Sequence, residues 1–60
     1  MYAPTVIGDA PDTLGEPVSV QVETVDGSPL VAIVRAGEVV FDLDPQGAAR
    51  LGAALLQAAG

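Results

Sequence analysis

The junction Asp44-Pro45 constrains this chain more than any other feature of its sequence. Before it, Val39, Phe41 and Leu43 alternate with Glu38, Val40 and Asp42, the period-two pattern of a strand. After it, residues 48–59 are almost all strong helix formers. The pair itself marks the change. An aspartate carboxylate accepts from the unpartnered N–H groups of a first helical turn, so Asp44 reads as an N-cap. Proline suits the first helical position, where its missing N–H has no partner to lose. The stretch 38–60 is therefore strand, corner and helix. A helix over 45–59 is about 22 Å long at 1.5 Å per residue. Helical periodicity gathers Ala48, Leu51, Gly52, Leu55 and Ala59 on one side, with Leu56 at its edge and Gln46, Arg50 and Gln57 opposite. Gly52 costs about 1 kcal/mol against alanine in a helix interior, and close packing on a sheet is the expected reason for it.

Upstream, Val18, Val20 and Val22 alternate with Ser19, Gln21 and Glu23, which predicts a strand over 18–25. Asp26-Gly27 is a turn, because glycine enters φ > 0 without a Cβ clash. Pro29 fits only as an early residue of the next strand, where its missing N–H breaks no interior ladder bond. Val31, Ile33 and Val34 then favour a strand over 30–35. A two-residue loop at Ala36-Gly37 pairs Arg35 with Glu38. It places Leu30, Ala32, Val34, Val39, Phe41 and Leu43 on one face, the expected seat of the helix. The opposite face carries Val31, Ile33 and Val40 beside Arg35, Glu38 and Asp42. The loop at Asp26-Gly27 decides where the three valines go, since a one-residue change of register swaps every side chain. A three-residue loop with a glycine bulge is expected, because it adds the valines to the helix face.

Residues 1–17 are punctuated by Pro4, Pro11, Pro17, Gly8 and Gly15. They read as an extended or mobile N-terminal arm, with 5–7 as a candidate short added strand. Residues 18–60 form the domain. The expected fold is α+β: a three-stranded antiparallel β-meander with one C-terminal α-helix packed on one face, in the order β-β-β-α.

Composition narrows what such a domain can do. A chain of 60 residues buries only about 60% of its unfolded surface, so its own core is marginal. The sequence has no cysteine and no histidine, which leaves oligomerisation as the available reinforcement. Eight acids face two bases, Arg35 and Arg50, for a net charge of −6. That balance argues against a nucleic-acid backbone and against an anionic membrane surface. No signal-peptide pattern and no run of about 20 apolar residues is visible, so a cytoplasmic protein is expected. Without histidine or cysteine, Ser19 and Ser28 have no base to activate them. No phosphate-binding glycine loop appears. Asp42 and Asp44 make a D-x-D pair, but one is a strand residue, the other a cap, and no calcium-loop glycine or distal glutamate follows. No enzyme activity, metal or cofactor is expected.

The expected function is a small acidic, non-catalytic protein–protein interaction or regulatory module that forms a homodimer and is open to a second protein partner. The expected interface is the sheet face away from the helix, with Val31, Ile33 and Val40 at its centre and Arg35 and Glu38 pairing across the axis at its rim. Two other arrangements compete. Val6, Ile7 and Leu14 can fold back from the arm to cover that patch, or the helix can dimerise through Ala49, Ala53 and Leu56. Two other functions compete as well. One is an acidic inhibitor or nucleic-acid mimic occupying a basic site on a target, although the acids are scattered rather than blocked together. The other is an accessory subunit of a larger enzyme complex.

Overall fold

The computed structural model describes residues 4–60. Strands β1 (Thr5–Pro11), β2 (Pro17–Val25), β3 (Ser28–Arg35) and β4 (Glu38–Leu43) precede helix α1 (Pro45–Ala59). The strands form one antiparallel sheet in the order β1-β2-β3-β4. The α+β class and the C-terminal helix are as expected, but the sheet has four strands rather than three. Within the stretch expected as an extended or mobile arm, the candidate strand at 5–7 is present and runs on to Pro11 as β1; residues 1–3 of that arm lie outside the described residues. The prolines explain the difference. Pro11 and Pro17 face each other at the strand ends, where a missing N–H disturbs no interior bond. Between them Asp12 organises the loop. Its carboxylate Oδ1 accepts from the Leu14 and Glu16 N–H groups at 2.8 and 2.9 Å. Its own N–H donates to the Glu16 carbonyl at 2.9 Å.

The β2–β3 loop has two residues, not the three expected. Asp26 and Gly27 have φ of 52° and 79°, and Val25 faces Ser28. Two successive left-handed residues make the hairpin turn whose twist matches the flanking strands, and aspartate followed by glycine is among its preferred pairs. Val20 therefore faces Ile33, and Val22 faces Val31. The β3–β4 loop at Ala36-Gly37 has the expected two residues, with Arg35 opposite Glu38 and Val34 opposite Val39. The ladder then slips. Val40 is an extra residue, so Phe41 faces Ile33 and Leu43 faces Val31. This bulge re-phases the strand by one position. Phe41 and Leu43 join Val31 and Ile33 instead of Ala32 and Leu30.

The expected faces are thus exchanged on β3. One face collects Val20, Val22, Val31, Ile33, Phe41 and Leu43, and α1 lies over it because Leu43 leads directly into the cap at Asp44. On the other face Ala32 and Val34 are the buried apolar residues among those described. Their register partners flank them, Gln21 and Asp42 around Ala32, Ser19 and Val39 around Val34. Gln21 Nε2 donates to Ser19 Oγ at 3.1 Å along β2 on that face.

Asp44 starts the helix as expected. Its backbone is extended, and its Oδ1 accepts from the Gly47 N–H at 2.6 Å. Gly47 permits that approach, because a Cβ at this position would stand 2.9 Å from the same oxygen. At the other end Gly60 has φ of 111°, and its N–H returns to the Gln57 carbonyl at 3.4 Å.

Candidate functional site

Helix α1 rests on β3 and β4, yet none of its residues is buried. Between helix and sheet runs an apolar groove of about 150 Å³. Val20, Val31, Ile33 and Leu43 line it from the sheet. Ala48, Leu51, Gly52 and Leu55 line it from the helix, the same stripe that the helical period picks out. Gly52 does not serve close packing here. A Cβ added to it meets no atom within 4 Å, so the helix stands clear of the sheet at that point. Exposure grows along the helix, from 38% at Leu51 to 62% at Leu55 and 77% at Leu56. Phe41, on the same face of the sheet as the groove, is also exposed.

The whole chain is open, both at this groove and along β1, whose residues are all exposed. Its accessible surface is 4613 Å² for a mass of 6.0 kDa. A compact monomer of that mass exposes about 3,600 Å². Its radius of gyration is 12.1 Å, against about 10 Å for a compact domain of this length.

Charge is distributed unevenly around the groove. Helix α1 contains one charged residue, Arg50, and no acid. Asp9, Glu23 and Asp42 belong to the face away from the helix, as their register partners Ser19, Leu30 and Ala32 show. Asp12, Glu16 and Asp26 are in loops, and Asp44 is the cap. Of the eight acids, Glu38 shares the groove face, paired with Arg35 at its end beside the β3–β4 turn; the middle of the groove side is uncharged on a protein of net charge −6.

The expected interface residues are placed differently from their expected roles. Val31 and Ile33 lie together, but beneath the helix, because of the loop length and the bulge described above. Val40 is exposed as the extra residue of that bulge. Arg35 and Glu38 face each other beside the β3–β4 turn. The Arg35 guanidinium has a partner within its own chain: its Nε donates to Asp12 Oδ2 at 2.7 Å. That bond, aided by the N–H groups of Glu16 and Leu14, holds the Asp12 carboxyl below the usual carboxylate range. The contact clamps the β1–β2 loop onto β3, and the Ala36 N–H donates to the Pro17 carbonyl at 2.8 Å beside it. Val6, Ile7 and Leu14 are all exposed, so the N-terminal stretch does not cover an apolar patch with them.

Leu51, Leu55 and Phe41 were missing from the expected interface. Their helical and strand periods are visible in the sequence, but periodicity marks a face as apolar without showing that it stays uncovered. Among the described residues no group of three His, Cys, Asp or Glu side chains could hold a metal ion. Among the described residues no helix is long and apolar enough to cross a membrane. Comparison of the chain with protein-family models, with curated proteins and with solved structures finds no match in any of the three.

Proposed function

We propose that this protein is a small non-catalytic protein–protein interaction module that docks through the apolar surface along α1. The observation that carries this reading is a helix with no buried residue whose leucines, Leu51, Leu55 and Leu56, remain open to solvent beside an apolar groove. Isolated exposed leucines are ordinary, but a contiguous apolar strip with a hollow beside it marks an interaction surface. The chemistry of the strip suits an apolar, uncharged partner surface. An acidic mimic would instead present a block of like charge, and here the eight acids are spread over three strands, two loops and the helix cap.

The test is recovery of cross-linked complexes from the cells that make the protein. Wild type and Leu14→Glu, altered in the exposed β1–β2 loop outside the groove lining, should give the same complex. Leu55→Glu should lose it, and the wild-type complex should survive high salt, since contacts between apolar surfaces are not screened. A complex that dissolves steeply with salt and ignores Leu55→Glu would favour the acidic inhibitor. A complex indifferent to both would overturn docking through α1.

A further inference from the structure

The groove beside α1 also indicates what covers it, an inference that rests on reading this surface as an interaction site. We propose that its occupant is a second copy of this chain, with the two α1 helices meeting about a two-fold axis over Leu51, Leu55 and Leu56.

Three observations favour a second copy over an unrelated protein. The first is area. The chain exposes 4613 Å², about 1,000 Å² more than a compact monomer of its mass. An ordinary stable interface removes about 800 Å² from each partner. The surplus is of the size one self-association would bury; part of it is on the exposed strand β1, and part is at Leu51, Leu55, Leu56 and Phe41.

The second is charge. Two chains of net charge −6 repel unless they meet where the charge is absent. The helix has no acid; on the sheet Asp9, Glu23 and Asp42 are on the far face, and Glu38, on the helix face, sits at its end opposite Arg35. Docking helix side to helix side turns the far-face carboxylates outward on both protomers. A two-fold pair needs only one self-complementary patch, and an apolar, nearly neutral strip is complementary to itself.

The third is the condition of the sheet edges. Self-association by strand addition is the rival route, since β1 and β4 both present an open ladder. Each carries a bulge, at Ile7 and at Val40, and β1 ends in Pro11. Bulges and proline at an edge interrupt the ladder and oppose edge-to-edge pairing. The helix side remains the surface where a second copy can bury apolar area.

The experiment is light scattering on the purified full chain, with circular dichroism to verify the fold of each variant. Wild type should have twice the 6.0 kDa chain mass. Leu55→Glu should fall to the single-chain mass with its helix signal retained, because Leu55 is largely exposed within one chain. Should Leu55→Glu unfold, Leu56→Glu, at a still more exposed position, should give the same folded monomer. Leu14→Glu, which adds the same charge in a loop, should stay dimeric. A dimer that persists with folded Leu55→Glu and Leu56→Glu overturns the proposal, as does a dimer lost equally with Leu14→Glu. A wild type that is monomeric when pure also overturns it. In that case a cellular complex still abolished by Leu55→Glu keeps the interaction reading with a different partner. Loss of both results removes that reading too.

Discussion

Ala36 occupies the first position of the β3–β4 turn at φ of 52°, a conformation that crowds a Cβ against the backbone. Left-handed backbone costs a residue other than glycine about 1–2 kcal/mol. Glycine removes that strain but gives up about 0.5–1 kcal/mol of chain entropy on folding. Ala36→Gly should therefore raise stability by about 0.5–1 kcal/mol, seen as a higher urea midpoint. A lower midpoint would mean that the turn has another shape. Asp12 makes a prediction of a different kind. Its carboxyl is held below the usual range by the Arg35 guanidinium first, then by backbone N–H groups. A carboxylate whose folded pKa is depressed stabilises the protein fully above its unfolded value, about 3.9. That contribution is lost as the pH falls through the lower folded value. Asp12→Asn should weaken the protein near neutral pH and flatten the decline of its urea midpoint below about pH 4. Identical pH profiles for the two proteins would show that the clamp between loop and β3 does not form in solution.

Among the elements, α1 depends most on its own sequence. Its packing is slight, so its N-terminal cap carries a large share of the definition of its start. Asp44→Ala should cost about 0.5–2 kcal/mol and shorten the helix by its first turn, read as lost far-ultraviolet ellipticity at 222 nm. An unaltered spectrum and midpoint would place the helix start elsewhere. Gly47 belongs to the same device, since the 2.6 Å cap bond occupies the space a side chain would take. No charged side chain in the first or last turn supports the helix dipole. The strands show the opposite dependence. Strand β4 has a clear alternation, yet the extra residue Val40 reverses which of its residues share a face with Ile33. Strand β1 is legible only in part, at 5–7, because Gly8 inside it and Pro11 at its end break the pattern of its second half.

On the scale of the whole molecule, the four strands and one helix form a thin body, 36 × 24 × 16 Å. A single helix over a four-stranded sheet can cover only part of one face. The most buried side chains, Ala32 and Val34, are on the uncovered face, shielded by their neighbours in the sheet. On the covered face the larger residues are only partly enclosed. That imbalance makes the proposed pairing of two copies physically sensible, because the missing burial and the missing charge coincide on one side. It also separates this chain from a domain whose helix completes its core.

Local chemistry by itself determined the helix, its cap at Asp44, the hairpin turns and the α+β class. Each rests on interactions between residues a few positions apart: a carboxylate and the first helical turn, a glycine at positive φ, an apolar period along one segment. The absence of histidine and cysteine and the net charge of −6 follow from the sequence in the same direct way. The identity of the face beneath the helix was decided only by the tertiary structure. Two one-residue choices, the length of the Asp26-Gly27 loop and the bulge at Val40, moved Val31 and Ile33 from the open side to the helix side. The Asp-Gly pair favours the two-residue turn locally, but the alternation along each strand fits either register and nothing local marks the bulge at Val40. The gain comes from gathering Val20, Val22, Val31, Ile33, Phe41 and Leu43 on one side, and that energy exists only when all three strands and the helix are assembled.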